Sequence, residues 1–485
     1  MPAASKEMRY WVDVAIECVR RDHTPTFGKG DQRGPFRTAR ALGMALGALH
    51  DGYVLVAGRK PLLTLSLDSP TQSLDPVVTG AAACHQLLLL RYPTQSAELN
   101  ASWDFWVRLF EISFPPMVPS ENYGRMVGNA VHLLGINDRQ LANTMGYTPS
   151  GPYTHDAPPT EPNQRFAGSV WGNAARLVTE RVEDFAPPPG RTGPTTVVPN
   201  AHFAADFLRV QTKGAQQNRT RTGDEEVIGI YWGYDGPPEL GTPPRLYMQV
   251  VLSVLDDIES RKPGALSVQE ELQIIAATGL AMADAGIDAW HYKYSPDHMM
   301  WRPALGIRFG LGDLAAPESE WLPLGRPDTN GKGLALTPDF PAYPSGHATF
   351  GAVAFQLLRT FLVQKGLATF SLEGLDNVDF CFVSDEYDGR NTDPRTQTPR
   401  PRLPRKYSSL WKAIIDNSVS RVFLGVHWQF DGVTIKGADP DGEFGVPCAP
   451  EDLGRRGGVW LGCQLANQVA AKIGVSQCTI DDSKV

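Results

Sequence analysis

Three stretches in the second half of the chain combine cations, imidazoles and a glycine-bearing helix start. The first is Trp290-His291-Tyr292-Lys293, followed by Trp301-Arg302-Pro303. The second is Phe340-Pro341-Ala342-Tyr343-Pro344-Ser345-Gly346-His347, and the third runs from Ser420-Arg421 through His427 to Asp431-Gly432. Singly, each has a plain structural explanation: Lys293 and Arg302 as surface cations, Ser345 as a helix N-cap, His427 and Asp431 as an i,i+4 pair. Together they supply three fixed cations, a hydroxyl, a helix N-terminus and two imidazoles. That inventory suits one tetrahedral or trigonal oxyanion, whose charge is offset by charge-assisted hydrogen bonds. None of the three stretches has zinc or P-loop spacing.

The spacings constrain the elements that carry these residues. Lys293 and Arg302 lie nine positions apart, which at about 100° per residue places them on opposite faces of a continuous helix. Pro296 resolves this by ending the helix near Tyr294, so that residues 297–301 loop back. On a helix Arg421 and His427 would not share a face, whereas His427 and Asp431 would. Asp431 is therefore expected to hold the His427 ring and fix its tautomer, presenting Nε2 to the bound centre.

In this order the motifs resemble the Lys…Arg-Pro, Pro-Ser-Gly-His and Ser-Arg…His…Asp signature of vanadium-dependent haloperoxidases and type-2 phosphatidic-acid and acid phosphatases. The similarity spans residues 290–432 and begins earlier, at Tyr231-Trp232-Gly233-Tyr234-Asp235-Gly236, which resembles a haloperoxidase segment ahead of the Lys motif. The membrane phosphatases need spanning helices, and a soluble acid phosphatase needs a much shorter chain, so the haloperoxidases resemble this sequence best. The resemblance implies vanadate (vanadium V) held by Lys293, Arg302, Ser345, Gly346 and Arg421, with His427 as the one metal ligand. It implies His347 and Lys293 as catalytic groups, the first moving protons and the second polarising peroxide, and Asp235 as the acidic partner of Arg421. Hydrogen peroxide, a halide and a small organic acceptor are the implied partners, hypohalous acid the product and phosphate a competitor. Phe340 and Trp290 stand where chloroperoxidases resemble this chain, which extends the expectation to chloride; His298 could place a titrating group near the halide. Were phosphate the bound centre, His427 would become a nucleophile forming a phosphohistidine and His347 would protonate the leaving group. A third reading is an idle anion binder, for which two imidazoles have no purpose. Haem and flavin are not expected, since neither Cys-x-x-Cys-His nor a Gly-x-Gly-x-x-Gly after a strand is present.

The elements that must position these residues read as helices. Apolar residues recur near a 3.6 period over 6–20, 38–56, 76–90, 124–134, 245–258, 267–294, 347–363, 407–433 and 459–473. Ser267 with Glu270 forms a capping box ahead of Leu272, Ile275, Gly279, Met282 and Ala283, whose small residues admit a close neighbour. The fold expected is all-α, in two four-helix-bundle-like halves with the anion site in the second. The prolines and glycines between Phe185 and Pro199 mark a boundary near residue 200, giving a motif-free half, 1–200, and a site-bearing half, 201–485. The charged, proline-containing segment 384–405 reads as a solvated loop, with a loop that rims a pocket as the alternative.

The formal net charge is 45 − 53 = −8, which argues against nucleic acid or an anionic membrane as the main partner. No apolar run reaches the roughly 20 residues of a spanning helix. No export leader is legible, so a soluble protein, cytoplasmic by default, is expected, with leaderless secretion and an oligomer both compatible. Cys18 and Cys84 read as buried thiols. Cys448, Cys463 and Cys478 fall in a Gly-rich region where one bridge could form.

Overall fold

The protein is described by a computed structural model covering residues 3–113, 117–194, 196–217, 220–372, 374–433 and 454–475. Among these, the helices are α1 (Ala3–His23), α2 (Pro35–Val56), α3 (Pro76–Arg91), α4 (Ser96–Leu109), α5 (Met117–Leu133), α6 (Asp138–Asn143), α7 (Ala201–Lys213), α8 (Gly223–Tyr231), α9 (Pro243–Arg261), α10 (Val268–Tyr294), α11 (Pro303–Phe309), α12 (Gly346–Gln364), α13 (Leu410–Phe423) and α14 (Gly457–Lys472). Two antiparallel hairpins, β1 (Arg191–Gly193) with β2 (Thr196–Val197) and β3 (Phe380–Val383) with β4 (Pro404–Tyr407), are the only paired strands among the described residues. The fold is all-α, as the periodicity implied.

The long central helix α10 starts where the capping box places it. Ser267 Oγ accepts from the Glu270 N–H, and Glu270 Oε2 accepts from the Ser267 N–H at 2.9 Å. Its small residues let α2 come close: a Cβ on Gly43 would sit 2.3 Å from the Gly279 carbonyl oxygen. The same helix packs against α12 and α14 on its other sides. One hydrophobic core consequently runs without a break from Met8 to Val475. α10 is the one described helix long and apolar enough to cross a membrane, and 94% of its most apolar window is buried inside the protein.

Two expectations need correction. The helix expected over 407–433 stops at Phe423, because Gly425 takes φ +70° and packs so tightly that a Cβ there would lie 2.3 Å from the Gly214 oxygen. His427 and Asp431 therefore sit in the turn after α13, not on a helix face. The segment 384–405 is not simply solvated either: Glu386 is fully buried, and Arg400 and Asp393 nearly so. Arg400 binds Glu386 Oε2 at 2.6 Å and Asp393 Oδ2 at 3.0 Å, and a paired buried charge is the tolerable kind. Cys18 and Cys84 are buried free thiols. The bridge considered for the C-terminal cysteines involves Cys448 and Cys478, which lie outside the described residues.

Candidate active site

Lys293 occupies the last turn of α10, and the helix ends at Tyr294, just ahead of Pro296. The chain then turns back, and Arg302 caps α11 from the opposite direction. Both cations reach the loop before α12: Lys293 Nζ donates to Pro341 O at 2.8 Å and Ala342 O at 3.1 Å, and Arg302 Nε donates to Phe340 O at 2.9 Å. Ser345 caps α12 and its N–H donates to Asp431 O at 2.7 Å. That bond ties the second motif to the third.

The two imidazoles carry defined tautomers. Arg302 can only donate, so its Nη1, 2.9 Å from His427 Nε2, identifies Nε2 as the lone-pair nitrogen. The His427 Nδ1–H donates to Asp431 Oδ2 at 2.9 Å, and the Trp428 N–H meets the same oxygen at 2.9 Å. His347 Nε2 lies 2.7 Å from the Gly233 carbonyl, so it carries the hydrogen and leaves Nδ1 as the ring atom available for proton transfer. Burial, reinforced by the Arg302 and Lys293 cations, holds His427 well below its ordinary range. Burial, with Arg421 beside it, pushes His347 down to about 3.

Arg421 is fully buried and pairs with Asp235 through both oxygens, at 3.0 and 2.7 Å. Burial alone would raise the Asp235 carboxyl, but Arg421 and His347 outweigh it and hold the group low. Burial pulls Lys293 well below the usual ammonium range, with Arg302 adding to the effect, and brings Arg302 down to about 9. Three cations thus face two carboxylates, Asp235 and Asp431. Arg421 Nε and Asp431 Oδ1 are buried without a partner.

A cavity of about 420 Å³ opens onto this cluster, lined by Trp290, Phe340, Gly346, His347, Arg421 and His427. Lys293, Arg302 and Ser345 are not among its lining residues but adjoin them, Arg302 through His427 and Lys293 beside the Trp290 and Phe340 rings. The Trp290 and Phe340 rings are 4.7 Å apart, and Lys293 Nζ lies 5.5 and 5.1 Å from them. His298 is turned away, with Nε2 on Phe185 O at 3.0 Å and its ring stacked on that phenyl. The half without motifs adds His23, Arg33, Gly34, Pro35, Glu161 and Gln164 to the lining.

Glu386 was not foreseen. Its Oε1 accepts from the Tyr234 N–H at 3.2 Å, inside the 233–235 turn that supplies the Gly233 carbonyl and Asp235. His155 was missed too: it is fully buried, neither ring nitrogen has a partner, and Arg302 and Lys293 add to the burial that lowers it. Neither residue has a spacing signal, because each reaches the site from a distant loop.

Among the described residues no cluster of three His, Cys, Asp or Glu is arranged to hold a metal ion. The donor set, one lone-pair imidazole among buried cations with an orphaned guanidinium nitrogen, fits an oxyanion whose own oxygens meet the cations. Residues 273–436 match the family model described as the VCPO second helical-bundle domain. Vanadium chloroperoxidase of Curvularia inaequalis is 30% identical over 495 residues, covering 88% of this chain and 79% of that one. The chain belongs to the vanadium haloperoxidase family. The fold agrees: a bacterial vanadium-dependent iodoperoxidase superposes with a TM-score of 0.64 at 18% identity, covering 95% of each chain. A bacterial vanadium-dependent chloroperoxidase in its holo form gives 0.56 at 13% identity, covering 91% of this chain and 92% of that one. Family membership makes vanadate the group against which the site is to be read.

Proposed function

We propose that the chain oxidises halide with hydrogen peroxide to hypohalous acid, bromide and chloride included, and that the product halogenates small organic acceptors. The observation that carries this reading is the His427 lone pair, set among Lys293, Arg302 and Arg421 with its tautomer held by Asp431. Vanadate, when bound, supplies the Lewis acidity that activates peroxide towards halide. His427 Nε2 is the atom to hold the metal, exchanging its Arg302 contact for it. The three cations, with the Ser345 hydroxyl and the Gly346 N–H, would hold the oxygens and offset their charge. His347 moves the proton at Nδ1, kept neutral by burial and by Arg421. Asp235 fixes the Arg421 guanidinium by a two-point pair. Trp290 and Phe340 form an aromatic wall of the cavity on the side proposed for the halide.

The test is halide oxidation by the apo protein with and without orthovanadate, first with bromide and then chloride. Activity should appear on adding orthovanadate and fall with excess orthophosphate, an oxyanion of similar shape. Activity indifferent to vanadate, or turnover of a phosphomonoester in its place, would overturn the reading.

A further inference from the structure

A second cavity, of about 620 Å³, lies in the half of the molecule that carries no motif, between the start of α2, the end of α3 and α6. Lys29, Arg37, Arg91 and Arg139 line it, together with His132 and Trp171. Four cations in the lining stand against two carboxylates, Asp31 and Asp138, of which Asp138 is held by arginines and Asp31 meets only Thr94. Asp138 accepts from Arg40 Nε and Arg91 Nη1, both at 3.0 Å, and Asp31 accepts from the Thr94 N–H and hydroxyl. Arg37 meets only neutral oxygens, those of Ala142 and Asn143.

Two donors on lining residues, Arg91 Nε and Trp171 Nε1, have no acceptor, on a side chain 6% exposed and a residue 1% exposed, and both atoms are closed off from the cavity itself. Burial of such donors is unfavourable unless an acceptor reaches them. The cations also repel one another: Arg139 adds to the burial that lowers Arg37, and Arg91 adds to the burial that lowers His132. Gly135 leaves room for the Arg91–Asp138 pair at the cavity edge, since a Cβ there would lie 2.3 Å from Arg91 Nη2.

We propose that this cavity is a second oxyanion site, taking a ligand with two or more negative charges on phosphate or carboxylate groups. Guanidinium forks suit both groups. The site is separate from the catalytic cavity, although one aromatic relay lies between them. The Trp171 ring is 4.9 Å from Phe36, which is 5.0 Å from Trp290.

Calorimetric titration of the full chain with orthophosphate and with citrate tests this. Wild type should show two classes of orthophosphate site, one lost in Arg421→Gln and the other weakened roughly tenfold or more in Arg37→Gln/Arg139→Gln, as expected for lost charge-assisted bonds. Lys29→Gln and Arg139→Gln singly, both at exposed positions, should give smaller shifts in the same class and do not depend on the double variant folding. Citrate binding lost in the double variant, without a second phosphate class, would assign polycarboxylates; the converse would assign phosphates. If neither anion distinguishes these variants from wild type, the proposal is overturned.

Discussion

Replacing Asp431 by alanine isolates what the carboxylate does for the His427 ring. Asp431 Oδ2 accepts from His427 Nδ1 and from the Trp428 N–H, both at 2.9 Å. Without it the ring is free to carry its hydrogen on Nε2, the atom proposed to hold vanadium. Loss of such an outer hydrogen bond costs about 10 to 100-fold in metal affinity. The two stranded donors should also lower stability by about 1 to 3 kcal/mol each where water does not reach them. Asp431→Asn keeps an acceptor oxygen and should fall between wild type and alanine. Orthophosphate is the internal control: it meets the cations but forms no bond to a metal-holding lone pair, so its affinity should not fall. Equilibrium dialysis of vanadate and of phosphate against the three proteins gives the ratio directly. Equal loss of both anions in Asp431→Ala, or unchanged vanadate retention, would refute the tautomer argument.

The two imidazoles should separate in the same dialysis: His427→Ala should lose vanadate, whereas His347→Ala should retain it while its rate falls roughly 10² to 10⁴-fold; equal retention would show the roles reversed. Glu386→Ala removes one of the two carboxylates that pair with buried Arg400, leaving Asp393, and should cost about 1 to 3 kcal/mol, read by thermal or urea unfolding, with Glu386→Gln milder. Burial pushes Glu386 up to about 7 from an ordinary 4.5, so its contribution to stability is full below about pH 4.5 and is lost as pH rises through 7; Glu386→Gln should flatten the stability profile over that window. Phe340→His, which puts a polar ring into the aromatic wall, should lower the ratio of chloride to bromide oxidation; a ratio unmoved would detach Phe340 from halide choice.

Much of the site was legible because its residues fall in short motifs with characteristic neighbours. Pro296 was enough to foresee the turn that brings Lys293 and Arg302 together, since proline ends a helix for a local reason. The region after α13 was misread for the opposite reason. Apolar periodicity continues through Val426, Trp428 and Phe430, but Gly425 turns the chain because of a contact with Gly214, more than two hundred residues away. Glu386 and Arg400 looked like loop charges, since a sequence shows their charge and not their partner. The helices α4, α6, α7, α8 and α11 were not anticipated: they run from 6 to 14 residues, and much of their stability comes from packing instead of from a strong pattern of their own.

The meeting of α2 and α10 at Gly43 and Gly279 has a mechanical consequence. From Gly279 to Lys293 the helix runs fourteen residues, about 21 Å at 1.5 Å per residue, without proline or a described break. A rod of that kind transmits a displacement along its axis almost undiminished. A side chain added at Gly43 would wedge the two backbones apart by an ångström or so, and the ammonium at the far end would shift relative to the Pro341 and Ala342 carbonyls it now meets. The half of the chain without a recognisable motif is therefore the jig in which Lys293 is set. Drift in its surface loops away from the cavity rim should be silent, whereas a single methyl group at this crossing should be felt at Lys293.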